Sequence, residues 1–411
     1  MKKEFIYYST SVINIKDKNE SYYIIKKKSL YSNNKKISFP LKISLALIIF
    51  IIFLIVCIIL NICQIKSYVL KEKRSHFIRV NYTREEALIR GRHYLNICLE
   101  DKLIKNIKFK KSENPKITVI VPIYNSEKFI RPLTRSIQNQ NMIDIEIIFV
   151  NDLSTDNSLK IIEDLIEEDP RIKLINNEKN MGILYSRSIA VLEAKGKYIL
   201  NLDHDDFFLD SDVFEYLYEE AEDGNFDIIS FMEAEIKNLN ANVSEMDDGI
   251  LTYHKDGLIV KQPELTYFPF FKNESYTYID ICIWGKLYRS QVYKKAVNLL
   301  GKERYSVYNA FNEDQIALFA ICSVAKSYKY VRKYGLFHRV CYLSSLLKAE
   351  KKHSLKMQIF FTDVVFDLSK NENKKYGLFM ALSFNFKDLD EDNKLYLQNV
   401  LKKILESQYI K

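Results

Sequence analysis

Three aspartates fall within four residues at Asp203-His204-Asp205-Asp206, directly after the apolar run Tyr198-Ile199-Leu200-Asn201-Leu202. That run suits a pleated, half-buried surface and reads as a short strand. Carboxylates crowded at the end of a buried strand repel one another, so positive charge must sit among them. A divalent cation such as Mg²⁺ or Mn²⁺ meets that need, because both prefer hard oxygen ligands, and such an ion can hold a diphosphate. The bland alternative is a solvated acidic turn, or a helix start capped by Asp206 or Asp210.

The elements around the cluster fix where it can act. Beyond Pro115 the pattern alternates, with strands predicted over 117–121, 143–150, 171–175 and 198–202 and helices over 127–140, 158–168 and 181–194. Phe129, Ile130, Leu133 and Ile137 carry the spacing of a helix face, and Thr155 or Asp156 offers a cap for the second helix. Such alternation predicts an α/β fold, a Rossmann-like and mostly parallel sheet with helices on both faces. In these sheets ligands bind beyond the carboxyl ends of the strands. Asn151-Asp152 and the Asp203 cluster both stand at such ends and are expected to face one crevice.

The chain has 411 residues and a net charge of +8. Its length suits one large domain with appendages. Residues 1–42 hold ten lysines against three acids, so all but one of the excess charges sit in that tail. A nearly neutral body argues against a nucleic-acid partner, which needs a basic face. None of the six cysteines forms a C-x-x-C pair, which argues against a structural zinc site and leaves open whether they pair in disulfides.

Residues 43–60 are apolar except for Ser44, and Cys63 extends the run. About 20 residues at roughly 1.5 Å each span a hydrocarbon core. A polar tail precedes the run, which favours a permanent signal-anchor over a cleaved leader. The resulting layout is a cytosolic basic tail at 1–42, a transmembrane anchor at 43–63, a stem at 64–114, a catalytic domain at 115–345 and a C-terminal helical extension at 346–411. The lysine bias places the body on the luminal side of the Golgi or endoplasmic reticulum membrane, and sequons at Asn81, Asn242 and Asn273 permit that side.

Five blocks in order resemble the family 2 glycosyltransferases, inverting enzymes of the GT-A fold. They are Ile117-Thr118-Val119-Ile120-Val121-Pro122-Ile123-Tyr124-Asn125; Asn151-Asp152 with Leu153-Ser154-Thr155-Asp156-Asn157-Ser158; Asn180-Met181-Gly182 with Ser186-Arg187; Asp203-His204-Asp205-Asp206; and Trp284-Gly285-Lys286-Leu287-Tyr288 with Asn312-Glu313-Asp314. The resemblance covers roughly residues 116–340. It implies a hexosyltransferase-type enzyme that moves a sugar from a nucleotide-diphosphate donor, a UDP-sugar by family habit, to a hydroxyl of a glycan, lipid or protein.

The resemblance also assigns roles. Asp152 accepts from the nucleobase, with Pro122 and Tyr124 shaping the loop beneath it; Tyr124 suits stacking or core packing equally. Arg187 touches base or phosphate. Asp205 binds Mn²⁺ or Mg²⁺ through the diphosphate, and Asp203 reaches the ribose or a metal-bound water. Asp314 is the catalytic base, with Glu313 beside it; a helix start favoured by the macrodipole is the alternative. Four positions depart from the family pattern: Asn151 for Asp, Leu153 for Gly or Asn, His204 for Ser and Ser188 for Asn. Residues 235–280, rich in Tyr and Phe, form the expected acceptor-binding stretch. The rival reading is a membrane-tethered binder of sugar nucleotide or glycan that has lost activity.

Overall fold

The computed structural model describes residues 7–17, 20–30, 82–104, 108–237, 239, 243–248, 255–266, 271–272, 275–276, 281–307, 313–340, 351–369 and 391–406. The chain divides into two units, residues 1–75 and 76–411. In the first, β1 (Tyr7–Asp17) and β2 (Glu20–Leu30) pair antiparallel, with Asp17 opposite Glu20. The lysine-rich tail thus contains a hairpin, favoured by the β-prone run Tyr22-Tyr23-Ile24-Ile25. The expected span at 43–63 lies outside the described residues. Among the described residues no helix is long and apolar enough to cross a membrane.

The second unit opens with α1 (Arg84–Leu99), started by a reciprocal capping box between Thr83 and Glu86. Within the stretch read as a stem at 64–114, this helix takes the alternative of a helical extension packed on the body, while 64–81 lie outside the described residues. Leu88, Leu95 and Cys98 are fully buried, Tyr94 Oη donates to Ser136 O at 2.8 Å, and Arg90 pairs with Asp210 at 2.9 Å. The apolar positions 88 and 95, one heptad apart, mark the buried face; the surrounding charges hid it in the sequence.

The remaining elements follow in chain order: β3 (Ile117–Ile123), α2 (Ile130–Gln138), β4 (Ile145–Asn151), α3 (Ser158–Glu168), β5 (Ile172–Asn176), α4 (Ile183–Glu193), β6 (Tyr198–Asn201), β7 (Phe207–Phe208), α5 (Val213–Asp223), β8 (Ile228–Ile236), β9 (Asp247–Asp248), β10 (Ile259–Lys261), β11 (Phe271–Lys272), β12 (Ser275–Tyr276), β13 (Lys286–Arg289), α6 (Ser290–Leu300), α7 (Lys302–Tyr305), α8 (Glu313–Val324), β14 (Ser327–Arg339), α9 (Lys351–Leu368) and α10 (Glu391–Glu406). The main sheet runs β10-β14-β8-β13-β6-β3-β4-β5. Strands β5, β4, β3 and β6 are parallel, β13 is antiparallel to both its neighbours, and β14 is parallel to β8. Hence β14 ends on the same edge of the sheet as β3, β4 and β6.

The apolar side chains divide between two faces. Val119 and Val121 of β3 pack with Leu133, Ile162 and Leu95 of α2, α3 and α1. Ile120, between them, packs on the other face with Val191, Val297, Ile316 and Phe361 of α4, α6, α8 and α9. Pure period-2 alternation along a strand covered on both sides gives this pattern. The strand order reverses between β3 and β6, and that reversal opens a crevice at their carboxyl ends. Pro122 stands just past the last β3–β6 pair, Ile120 with Asn201, so its missing N–H falls where β6 has already turned away.

The packing of α1 can be tested at Gly91, where an added β-carbon would meet Leu209 at 2.5 Å and Phe337 at 2.9 Å. Gly91→Val is expected to destabilise the fold by about 2 kcal/mol in urea unfolding, the usual cost of overpacking. A free stem would leave the unfolding midpoint unchanged.

Candidate active site

Four segments far apart in sequence deliver charged side chains to the crevice. The turn after β6 carries Asp203, Asp205 and Asp206. The start of α8 carries Glu313 and Asp314, α4 carries Arg187, and the end of β14 carries His338 and Arg339. Arg187 is the link between them. It is 2 % exposed, and it donates from Nη1 to Asp314 Oδ1 at 2.5 Å and from Nη2 to Asp203 Oδ1. Its Nε is buried with no partner among the described residues. Burial opposes charge on this guanidinium, but the acids Asp314, Asp203 and Glu313 outweigh that and hold it firmly protonated.

The same surroundings act oppositely on the carboxyls. Burial, then the neighbouring Asp314, pushes Glu313 up to about 7, while Arg187 pulls it down. Asp314 is raised as well, by burial first and by Asp203, against the pull of Arg187. Its second oxygen faces the Ile283 N–H at 3.4 Å. Two adjacent acids with one buried guanidinium titrate as a set, and the last to ionise does so near neutrality.

Asp205 pairs with Arg339 through Oδ2, and the Arg339 guanidinium lies 4.5 Å from the centre of the Phe129 ring. Asp206 is fully buried and accepts from His338 Nδ1 at 3.1 Å and from the Arg339 backbone N–H at 3.0 Å. The His338 imidazole stacks on Trp284, with centroids 4.4 Å apart and planes 17° from parallel. Burial disfavours charge on His338, but Asp206 and then Asp203 and Asp205 overcome it and raise its pKa to about 10. Residues β7 and β14 pair through Phe207 and Phe337, which brings the acidic turn against His338 and Arg339. Neither His338 nor Arg339 stood out as functional in the sequence; their pairing with the acidic turn is set by topology.

Asp152 sits at the same edge but is engaged within the fold. Oδ1 accepts from Asn177 Nδ2 and Met181 N, and Oδ2 from Gly182 N, each at 2.8 Å. It therefore caps the start of α4 and keeps one free lone pair on Oδ2. Asp156, expected to cap the helix after β4, accepts from Ser158 N at 3.0 Å and also from Glu127 N at 3.1 Å. The loops after β3 and β4 are tied by Asn125 N to Ser154 Oγ at 3.0 Å and Thr155 N to Asn125 Oδ1 at 2.8 Å. Tyr124 is 48 % exposed at this rim, so core packing does not explain it. Leu153 adopts φ +62° where Gly or Asn would be unstrained. His204 faces Phe129, with ring centroids 6.5 Å apart.

Among the described residues no group of three or more His, Cys, Asp or Glu side chains could enclose a metal ion. A site completed by the ligand is a different arrangement: Mg²⁺ is commonly held by one or two carboxylates plus substrate phosphates and waters. Asp205 fits that pattern, because one of its oxygens has no bond to the protein among the described residues and its side chain is 15 % exposed. Of the expected acceptor aromatics, Phe271 and Tyr276 are register partners in the β11–β12 pair, while Tyr253, Tyr267, Phe268, Phe270 and Tyr278 lie outside the described residues.

A wound sheet with acids gathered at its switch point is an arrangement in which ligands bind at the carboxyl ends of the strands. Residues 118–295 match the model of the family described as "Glycosyl transferase family 2". The chain is 32 % identical over 200 residues to the uncharacterized glycosyltransferase EpsJ of Bacillus subtilis, covering 48 % of this chain and 55 % of that one. It is 28 % identical over 289 residues to the cholesterol galactosyltransferase of Borreliella burgdorferi, covering 67 % and 75 % respectively. The crystal structure of S. aureus TarS in complex with UDP-GlcNAc superposes with a TM-score of 0.51 at 17 % identity, covering 72 % of this chain and 82 % of that one, which shows the shared fold. Residues 118–295 thus carry a domain of the glycosyl transferase family 2 type, the class to which these relatives are assigned. The aligned stretch spans about half of EpsJ.

Two predictions follow from local geometry. Leu153 is 46 % exposed, so its replacement removes little burial. Relief of a left-handed β-carbon is worth roughly 1–2 kcal/mol, against roughly 0.5–1 kcal/mol of added chain entropy for glycine. Leu153→Gly should therefore raise stability by about 0.5–1 kcal/mol in chemical denaturation. His338 titrates near 6.5 when unfolded and near 10 in the fold. Burial raises its partner Asp206 to about 6, so the pair is charged on both sides just above that pH, and the contribution of His338 is lost as pH rises from there towards 10. The thermal midpoint of the native protein should fall between pH 7 and 9.5 more steeply than that of His338→Gln; parallel curves would contradict the pairing.

Proposed function

We propose that this enzyme moves a sugar, with inversion, from a uridine-diphosphate donor to a hydroxyl acceptor at a membrane, with a divalent cation assisting. The observation that carries this reading is the bridge Asp203–Arg187–Asp314, which joins the donor-side acid to the acid in the first turn of α8 across the crevice. The UDP-GlcNAc bound to a protein of the same fold supports a UDP-sugar donor.

In this reading the uracil lies against Tyr124 and takes the free lone pair of Asp152, and Pro122 shapes the loop below. Asp205, with Asp203 beside it, would hold Mn²⁺ or Mg²⁺, which when bound neutralises charge on the departing diphosphate. Arg187 holds Asp203 and Asp314 in fixed relation. The acceptor oxygen attacks the anomeric carbon as its proton passes to Asp314. The bond from that carbon to the diphosphate oxygen breaks on the opposite side, so the configuration inverts and the nucleoside diphosphate leaves. Burial and the neighbouring Asp314 raise Glu313 to about 7, so it shares a proton with its surroundings near neutral pH beside the base.

The apolar run at 43–60 is proposed as a single anchor, with the lysine-rich tail cytosolic and the body on the luminal side. A membrane-held body suits a lipid-linked or membrane-proximal acceptor.

Asp314→Asn is the direct test. Turnover of UDP-GlcNAc, read as UDP release, should fall by about 10²–10⁴-fold, the usual range for loss of a general base. UDP affinity should stay within about threefold, because Asp314 binds no part of the nucleotide in this reading. Unchanged turnover would remove Asp314 as the base.

A further inference from the structure

We propose that Arg339 makes cation binding at Asp205 conditional on a nucleoside diphosphate: its guanidinium neutralises Asp205 until the donor arrives, then turns to the diphosphate as the cation takes its place. This rests on the transferase reading above.

Arg339 is the last residue of β14, and its backbone is pinned by the N–H bond to Asp206 at 3.0 Å. Its side chain leaves the strand end and reaches Asp205 across the face of Phe129. Among the described residues only Nη2 is engaged with a carboxylate. Nε is buried with no partner among the described residues, although a guanidinium offers several N–H donors in a fixed fork. A buried N–H left without an acceptor is unfavourable, and phosphate oxygens are the acceptors that a guanidinium matches best.

Charge supplies the rest. Asp203 and Asp205 already face Arg187 and Arg339, so a bare divalent cation would enter a site whose acids are paired and would be repelled by a guanidinium beside it. A diphosphate brings the negative charge that offsets both. The cation and the diphosphate then favour each other's binding, and by linkage the coupling is reciprocal. Removing the Arg339 charge frees Asp205 and weakens the coupling to the part that the diphosphate oxygens supply as ligands of the cation.

The test titrates the full chain with Mn²⁺, following the electron paramagnetic resonance signal of the free ion, with and without saturating UDP. The native protein should bind Mn²⁺ at least about tenfold more tightly with UDP, a coupling of ordinary size. Arg339→Gln should bind Mn²⁺ alone at least about threefold more tightly than the native protein does and gain correspondingly less from UDP, and Arg339→Lys, which keeps the charge, should retain the native UDP dependence. Equal Mn²⁺ affinity with and without UDP in the native protein overturns the proposal, whether or not the glutamine variant folds. So does an unaltered UDP dependence in Arg339→Gln, or its loss in Arg339→Lys. Failure of the native protein to bind UDP with or without Mn²⁺ overturns the transferase reading itself, which separates the two.

Discussion

Charge balance at the carboxyl edge of the sheet is the constraint on which the rest depends. Asp203, Asp205, Asp206 and Asp314 converge there, and each is met by a cation from another segment: Arg187 for Asp203 and Asp314, Arg339 for Asp205 and His338 for Asp206. Breaking one of these buried pairs would strand a charge in low dielectric. The fold can hold so many acids together only because β14 runs parallel to β8 and returns two basic residues to the edge from which the acids emerge. Topology and electrostatics are therefore one requirement, met by the crossover from α8 into β14.

Such a network is suited to catalysis because it is incompletely satisfied. The Nε atoms of both Arg187 and Arg339 are buried without partners among the described residues. Interiors seldom leave such groups unmet, and where they do, a ligand or a changed state is a common reason. Asp152 is the contrast. Three N–H groups hold it in place, and a single lone pair remains for recognition. One acid is held by N–H groups of its own loop, while the others are paired with cationic side chains from distant segments.

Much of the catalytic body was legible in the sequence. The strands over 117–123, 145–151, 172–176 and 198–201 and the helices between them fall within a few residues of their expected places, because apolar runs alternating with helical spacing leave few choices. Convergence of Asp203 with Asp314 was also legible, through the order of the family blocks. The compensating charge was not. Three aspartates in four residues pointed to a cation, but Arg339 lies 134 residues from Asp205, and no local pattern links them. The packing of α1 was hidden for a different reason: its buried positions are interleaved with charged residues whose partners Asp210 and Met246 lie far along the chain. Asp152 was expected to serve the base alone, and its work as a cap for α4 depends on a loop geometry that sequence does not display.

A crystal structure of the protein with UDP and Mn²⁺, with the cation located by anomalous scattering, tests the central claim most directly. The account requires the cation on Asp205, the diphosphate against a displaced Arg339 and the uracil beside Asp152 and Tyr124. A nucleotide bound elsewhere, with the Asp205–Arg339 and Asp203–Arg187–Asp314 pairs undisturbed, would contradict it.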